Sequence, residues 1–237
     1  VDLEDSKDKV YMGLERKSKV MSEDDRKVAA YHEGGHALVA RLLPETDAVN
    51  KITIVPRGRA AGITWFLPEE RDFKFKDQLE SDLSVAFGGR VAEEIVLGRI
   101  STGAAADIKQ ATELAQTMVC AGGMSDAVGP LSYAKNDEQI FLGREIAQHR
   151  DYSEETARKI DLEVKNFVNR AYDRSKEVLT ENIDILHALA ELLLEKETVL
   201  GAEMDELIHS LHPDLVLLSH SDTPEEDPAP AEPEDAS

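Results

Sequence analysis

The sequence predicts a mainly α-helical fold that contains one small β-hairpin or short sheet. Apolar residues recur at helical spacing along most of the chain, which is the pattern of amphipathic helices. One stretch, residues 51–67, carries alternating β-branched residues instead and is interrupted by glycine and proline. With 237 residues, of which 41% are hydrophobic, the chain has room for one sizeable core.

Composition and charge argue against several classes of protein. The formal net charge of −21 disfavours binding to nucleic acid, whose phosphates are also negative. No apolar run approaches the ~20 residues of a membrane span and no signal peptide heads the sequence, so we expect this chain itself to be soluble. Its single cysteine, Cys120, rules out an internal disulfide and fits a reducing compartment.

The first predicted helix spans residues 23–43 and is stopped by Pro44, which cannot continue a helix. Ser22, with Asp25 three residues later, forms the capping box that begins this helix. Residues 1–22 are a mixed-charge lead-in of helical character. Because this lead-in begins in mid-pattern without an initiator Met, we expect it to be the end of a larger module.

Two strands are predicted after the first helix. Residues 51–56 are β-branched and alternating, and residues 62–67 repeat this pattern before Pro68 ends it. A turn at residues 57–59 separates the two segments, so we expect them to form a hairpin or part of a short sheet.

Helical periodicity returns after the strands. The predicted helices span residues 76–98, 104–121, 153–181, 182–196 and 201–211. Gly88-Gly89 lies inside the first of these helices and predicts a point of close packing. Ser101 or Thr102 is expected to cap the second helix, and Ser153 to begin the long third one.

The remaining segments lack helical periodicity. Residues 124–150 are predicted to be irregular. From Pro213 onward Pro, Glu, Asp, Ala and Ser dominate and Lys and Arg are absent, so residues 213–237 are predicted to form a disordered acidic tail. The domain predicted between the lead-in and this tail covers residues 23–212.

The first predicted helix carries the motif H-E-x-x-H as His32-Glu33-Gly34-Gly35-His36. Residues four apart lie on one face of a helix, so both histidines can offer an imidazole to one metal ion. Glu33 lies beside them, where a carboxylate can take a proton from a water molecule. Two imidazoles, an open coordination position and a base are the parts needed to hydrolyse a peptide bond at neutral pH.

The alternative interpretation of this motif is a helix that carries two histidines by chance. Against it, the motif lies in an apolar helix, where ionisable groups without partners are costly to bury. Gly34 and Gly35 also weaken the helix by about 1 kcal/mol each relative to Ala. Close approach of a substrate or of a neighbouring element would offset this cost.

A catalytic zinc ion needs a third protein ligand. A third His soon after the motif is absent, so an acidic residue from another helix is the natural candidate. The residue patterns leave two alternatives open, Glu93-Glu94 beside apolar residues and Asp107 among small ones. Asp107 also has a purely structural interpretation, as a favourable charge near a helix N-terminus.

Several short blocks of sequence follow one another in a fixed order. They are Tyr31–Leu38 (YHEGGHAL), Ile54–Ala60 (IVPRGRA), Gly88–Glu94 (GGRVAEE), Ser101–Asp107 (STGAAAD), Gly123–Ser125 (GMS), Gly129–Leu131 (GPL) and Phe141–Gly143 (FLG). In this order the blocks closely resemble the peptidase domain of the FtsH family of membrane-anchored AAA zinc proteases. The resemblance extends from Asp2 to about Ile208.

The resemblance implies a mostly helical zinc-peptidase domain that assembles as a six-fold ring, a homo-hexamer, and holds one Zn²⁺ per chain. It implies that the zinc ligands are His32, His36 and Asp107, and that Glu33 is the catalytic base. Glu93 then resembles a residue that orients a ligand histidine through the ring nitrogen turned away from the zinc.

The resemblance also implies where a substrate binds. Family members lay out an extended substrate along the edge of a sheet, which is a form of β-strand addition. The matching strand of this chain contains Gly62, Ile63, Thr64, Trp65 and Phe66. The implied substrates are unfolded or membrane proteins.

Two positions depart from the family pattern. The family usually has Ala where this chain has Gly34, and Asn where it has Ala106. Neither position is a ligand, so we expect the metal site to be intact. The 237 residues also contain no phosphate-binding loop and no transmembrane segment. We therefore expect ATP to bind only in an ATPase module outside them. The lead-in resembles the last helix of that module.

We therefore expect the chain to be part of a longer ATP-dependent protease involved in protein quality control. Its partners there would be the ATPase and transmembrane segments, in the bacterial inner membrane with this domain on the cytoplasmic side. The alternative is a non-catalytic, ring-forming scaffold with a structural or vestigial metal site. The enzyme is favoured because the site residues are all present, namely His32, Glu33, His36 and Asp107.

Overall fold

The structure, a computed structural model of the chain, describes residues 21–57, 60–68, 71–133 and 152–217. These residues form six α-helices and one three-stranded sheet, which confirms the predicted mainly α-helical fold with a short sheet. The helices are α1 (Glu23–Leu42), α2 (Lys76–Ala92), α3 (Ala105–Cys120), α4 (Glu154–Glu181), α5 (Ile183–Lys196) and α6 (Gly201–Leu211). The strands are β1 (Ala48–Thr53), β2 (Ile63–Leu67) and β3 (Thr198–Leu200).

Helix α1 lies at the centre of the fold and carries the H-E-x-x-H motif. Ser22 begins the helix as predicted, because its Oγ accepts the backbone N–H of Asp25 at 3.1 Å. The Asp25 carboxylate accepts the Ser22 hydroxyl at 2.8 Å, so only one half of the predicted capping box forms. Most side chains between Ala29 and Ala40 are buried because α2, α5 and β1 pack around this helix.

The sheet is antiparallel, with the strands in the order β2–β1–β3. The prediction of two paired strands is confirmed, but the first begins at Ala48 and ends at Thr53, earlier than the predicted residues 51–56. It ends there because the Thr53 hydroxyl accepts the backbone N–H of Val55 at 3.2 Å and turns the chain. Pro56 follows and has no N–H to donate to a neighbouring strand.

The third strand is not predicted by the sequence. Its three residues lie between α5 and α6, too few to show alternation, and its pairing is long-range, with Lys51 opposite Leu200. A Cβ on the next residue, Gly201, would overlap the carbonyl oxygen of Val49, so glycine allows the backbones to meet there. Gly62, predicted to belong to the second strand, instead lies just before β2.

Helices α1 and α2 cross at a pair of glycines. A Cβ on Gly35 would overlap the carbonyl oxygen of Gly88, and a Cβ on Gly88 would lie 2.6 Å from the carbonyl oxygen of Gly35. The two backbones are therefore in contact, which confirms the predicted point of close packing at Gly88-Gly89. This contact places the end of α2 against the histidines of α1.

Helix α2 is α-helical over a shorter range than the predicted residues 76–98. Beyond Ala92 it continues as a π-helical segment, Glu93–Leu97, which was not predicted. Gly98 ends this segment in the left-handed conformation, with a φ of 64°. The π-helical segment matters for the site because Glu93 is its first residue.

The remaining helices agree with the predicted ranges to within one residue at each end. Ser153 begins α4 as predicted, since its Oγ accepts the backbone N–H of Thr156 at 3.2 Å. The predicted cap of α3 is wrong, because Ala104 occupies the cap position. The Ser101 hydroxyl instead accepts the backbone N–H of Gly103 at 3.0 Å and donates to Glu93.

Some predicted segments lie partly or wholly outside the described residues. They are the lead-in up to residue 20, part of the 57–59 turn, most of the irregular stretch 124–150 and the tail from residue 218. At the start of the predicted tail, Leu215 and Leu217 pack against the hydrophobic core. Among the helices that the structure describes, none combines the length and the apolar character that a membrane span requires.

Candidate metal and catalytic site

The two histidines of α1 point their Nε2 atoms toward each other, 3.2 Å apart. The opposite ring nitrogen of each is occupied: His32 Nδ1 lies 2.7 Å from Glu93 Oε1, and His36 Nδ1 lies 2.7 Å from the Val85 carbonyl oxygen. Both partners only accept hydrogen bonds, so each Nδ1 carries the proton and donates it. With Nδ1 occupied in this way, Nε2 is the nitrogen that each histidine turns into the site, where it offers a lone pair to a metal ion once it carries no proton.

Asp107 approaches the same point from the first turn of α3. Its Oδ2 lies 3.3 Å from His32 Nε2 and 3.8 Å from His36 Nε2. Four ligand atoms around a tetrahedral zinc ion, with bonds of about 2.0–2.1 Å, lie about 3.3 Å from one another. Among the described residues, His32, His36 and Asp107 form a cluster whose atoms could hold a metal ion. The donor set fits zinc in type and in spacing.

The cluster attracts positive charge. Burial lowers the pKa of His32, but hydrogen bonds to Asp107 and Glu93 outweigh it and raise this pKa to about 10. Burial works to raise the pKa of Asp107, yet the neighbouring imidazoles of His32 and His36 hold it well below its usual range. Asp107 is therefore ionised at neutral pH, as a metal ligand must be.

Glu93 lies behind His32, on the side away from Asp107. Its side chain is only 1% exposed, and its carboxylate also accepts the Ser101 backbone N–H at 2.7 Å and the Ser101 hydroxyl at 3.1 Å. These hydrogen bonds and the one from His32 lower its pKa although burial opposes them. The other alternative from the sequence, Glu94, points elsewhere and accepts hydrogen bonds from Tyr172 and Lys176.

Glu33 lies beside the histidines on α1 and is 8% exposed. Its Oε2 accepts the hydroxyl proton of Thr64, on β2, at 2.8 Å. Burial raises the pKa of the Glu33 carboxyl above its usual value, so this carboxylate is a stronger base than one in water. A buried base next to a candidate metal cluster is an arrangement suited to activating water.

The segment predicted to bind substrate runs along the edge of the sheet next to Glu33. Strand β2 pairs with β1 on one side only among the residues that the structure describes, and contains Ile63, Thr64, Trp65 and Phe66. Gly62 precedes the strand and touches Glu33: a Cβ there would lie 2.6 Å from Glu33 Cγ. The beginning of this edge strand therefore lies against the base.

Several contacts at the site involve residues that the sequence pattern does not connect with it. A Cβ on Gly89 would lie 2.6 Å from both His32 Cε1 and His36 Nε2, so this glycine makes room for the two rings. Val85 orients His36 through its carbonyl oxygen, and Ser101 holds Glu93. For these contacts the only signal in the sequence is the glycine pair Gly88-Gly89. The pair predicts close packing, but it does not predict that the packing makes room for the two histidine rings.

Known proteins are similar to this chain over most of its length. A sequence model of peptidase family M41 matches residues 19–207, which is most of the chain. The chain belongs to peptidase family M41. The M41 match covers every residue of the cluster and of β2, and it contains all six helices except the last residues of α6.

The relatives of this M41 chain carry a common name, ATP-dependent zinc metalloprotease FtsH. The chain is 52% identical over 208 residues to the protein of Magnetococcus marinus, an alignment that covers 87% of the chain and 30% of the relative. It is 54% identical over 199 residues to that of Acidobacterium capsulatum, with 84% and 31% covered. For Myxococcus xanthus the identity is 49% over 208 residues, with 87% and 33% covered. The resemblance to the FtsH peptidase domain is confirmed, and the chain spans about a third of these relatives.

Proposed function

We propose that this chain is a zinc-dependent endopeptidase in which His32, His36 and Asp107 hold the metal and Glu33 is the catalytic base. The observation that carries the proposal is the convergence of two Nε2 atoms and one carboxylate oxygen, 3.2 to 3.8 Å apart, beside a buried glutamate. Membership in a peptidase family supports it.

The residues of the chain divide the work of peptide hydrolysis. Zinc, when bound, supplies a Lewis acid that polarises the scissile carbonyl group and acidifies water. Glu33 takes the proton of the attacking water and passes it to the nitrogen of the leaving amine. Glu93 and the Val85 carbonyl hold the histidines in the tautomer that presents Nε2. The edge of β2 binds the backbone of an extended substrate.

For the whole protein we propose an ATP-dependent, membrane-anchored protease of quality control that degrades unfolded or membrane proteins as a homo-hexamer. The relatives' printed name, ATP-dependent zinc metalloprotease, supports this proposal. The ATPase and transmembrane segments would be joined to this domain, which would lie on the cytoplasmic side of a bacterial inner membrane.

The direct test is Glu33→Gln in the purified chain, with cleavage of unfolded casein and bound zinc measured together. We expect cleavage to fall by about 10²- to 10⁴-fold because the amide cannot accept the proton of water. Bound zinc should be unchanged, since Glu33 is not a ligand. The control is Glu113→Gln, an exposed glutamate of α3.

Two results would contradict the proposal in different ways. A Glu33→Gln variant that retains activity would show that another group is the base. A wild-type chain that binds zinc but leaves every unfolded substrate intact, while Glu33→Gln changes nothing, would indicate a metal-containing scaffold.

A further inference from the structure

Thr64 is the residue of β2 whose side chain contacts the proposed catalytic base. Its Oγ1 lies 2.8 Å from Glu33 Oε2 and 3.0 Å from the Glu33 backbone carbonyl oxygen. A hydroxyl has one proton to donate, and an ionised carboxylate is the stronger acceptor. The hydroxyl of Thr64 therefore donates its proton to Oε2 of Glu33.

The other side of the Glu33 side chain rests on Gly62. A Cβ at position 62 would lie 2.6 Å from Glu33 Cγ, 2.9 Å from Glu33 Oε1 and 2.8 Å from the Thr53 carbonyl oxygen. The Glu33 side chain thus lies against the beginning of β2, with Oε1 over Gly62 and Oε2 on the hydroxyl of Thr64. The sheet contacts both oxygens, and the hydroxyl of Thr64 donates a hydrogen bond to Oε2.

This contact matters because the carboxylate torsion of a glutamate is soft. The terminal torsion of Glu has no sharp staggered minima, so packing around Cγ alone leaves the plane of the carboxylate poorly defined. A hydrogen bond to Oε2 fixes that plane and leaves Oε1 to receive a proton. It also ties the base to the strand on which the substrate would lie.

We propose that Thr64 is a positioning residue for Glu33, holding Oε2 by its hydroxyl so that the base and the substrate strand keep a fixed geometry. This inference rests on the proposed peptidase function. It assigns to Thr64 an effect on the chemical step, in addition to its place in β2. The backbone pairing of Thr64 with Ile52 does not depend on the hydroxyl.

The test is Thr64→Val in the 237-residue chain, with kcat, KM and bound zinc measured on an unfolded casein substrate. Valine keeps the β-branched shape that suits a strand and replaces the hydroxyl with a methyl group, which cannot donate a hydrogen bond. We expect kcat to fall about 10- to 100-fold because the base is misplaced, while KM and zinc content stay as in the wild type. Thr64→Ser, which keeps the hydroxyl, should restore kcat to within a few-fold.

A matched control removes a hydroxyl from the neighbouring strand. Thr53 Oγ1 donates to the Glu197 carbonyl oxygen at 3.1 Å and bonds Thr198 Oγ1 at 2.9 Å, on the side of β1 that faces β3. Thr53→Val should lower the unfolding temperature and leave kcat unchanged. If Thr53→Val lowers kcat as much as Thr64→Val does, damage to the sheet explains both and the inference is overturned.

Other results for Thr64→Val would also overturn the inference. If its kcat equals that of the wild type, whether or not KM is raised, Thr64 does not position the base, and the peptidase proposal still stands. Absence of chelator-sensitive cleavage by the wild-type chain would overturn both. If Thr64→Val does not fold, Thr64→Ser and Thr64→Ala provide the same comparison, because they differ only in the hydroxyl; equal kcat values in that pair overturn the inference.

Discussion

His32 and His36 each use their two ring nitrogens for different purposes. In both, Nδ1 donates to an acceptor from α2 or its π-helical extension, and this leaves Nε2 as the nitrogen that faces Asp107. The sequence spacing predicts that the histidines share a helix face, but it does not predict which nitrogen each presents. Glu93 and the Val85 carbonyl oxygen determine that choice.

Asp107 and Glu93 have different proposed roles, since Asp107 binds the zinc ion and Glu93 orients the ligand His32. We expect Asp107→Ala to weaken zinc binding by more than about 100-fold, because a coordinating oxygen is lost. Glu93→Gln should weaken it by about 10- to 100-fold, because the amide oxygen can still accept the proton of His32 Nδ1. Zinc retained after dialysis against a competing chelator measures both effects.

The control for these variants is Glu94→Gln. Glu94 is adjacent to Glu93 in the π-helical segment, but its carboxylate accepts hydrogen bonds from Tyr172 and Lys176 on α4. Its replacement should leave zinc binding unchanged. Full zinc occupancy in Asp107→Ala, together with loss of zinc in Glu93→Gln, would make Glu93 the ligand instead.

The sequence predicts part of this site for a local reason. His32, Glu33 and His36 lie within one helical turn and a half, so helix geometry alone relates them. The choice between Glu93 and Asp107 stayed open on residue patterns, because spacing along the chain does not say which helix faces α1. The contact of Thr64 with Glu33 is not predictable from spacing either, since it joins a helix to a strand.

The crossing of α1 and α2 gives the two glycines of the motif, Gly34 and Gly35, different roles in packing. A Cβ on Gly34 would meet Leu186 Cδ1 at 3.6 Å and Leu189 Cδ2 at 3.7 Å, which is ordinary van der Waals contact with α5. A Cβ on Gly35 would overlap the backbone of α2 at Gly88. Of these two glycines, only Gly35 is required by packing.

Alanine substitutions should therefore have opposite effects at these two positions. We expect Gly34→Ala to raise the free energy of unfolding by about 0.5–1 kcal/mol, because alanine loses less backbone entropy in a helix and fits the space. Gly35→Ala should lower it by about 1–3 kcal/mol and reduce bound zinc, since α2 must move away from α1. Chemical denaturation of the two variants measures both changes. A lower free energy of unfolding for Gly34→Ala would contradict the prediction, because it would mean that α5 leaves no room for a methyl group at position 34.

Elements with strong periodicity are predicted well, and those that depend on distant pairing are not. Helices α4 to α6 are long enough, or sharply enough bounded, for their ranges to follow from apolar spacing and caps. Strand β3 has three residues, and β1 ends at a turn made by the hydroxyl of Thr53. The π-helical segment at Glu93 also lacks a pattern of its own, because it resembles a continuing helix.

For the whole molecule, the proposed metal joins parts of the fold that are separate in sequence. His32 and His36 belong to α1, while Asp107 belongs to α3, which packs against α2 and α4. A metal ion bound by all three would link these helices directly. The folded state, and not the unfolded chain, brings the three ligands together, so zinc binding should stabilise the fold.

We therefore expect a chelator to lower the unfolding temperature of the purified chain. Free zinc at 100 times its dissociation constant stabilises a protein by about 2.7 kcal/mol, which for a domain of this size is roughly 5–10 °C. Differential scanning calorimetry with and without chelator measures the shift. Asp107→Ala serves as the control, because a variant that has lost its metal should not respond, and an unresponsive wild type would contradict the account.

Anomalous X-ray scattering at the zinc edge would locate the proposed metal ion among its three ligands. Crystals of the purified chain should show one zinc peak per chain, within bonding distance, about 2.0–2.2 Å, of His32 Nε2, His36 Nε2 and an Asp107 carboxylate oxygen. A peak bound to Glu93 instead of Asp107, or none in crystals grown with zinc, would contradict this position of the metal.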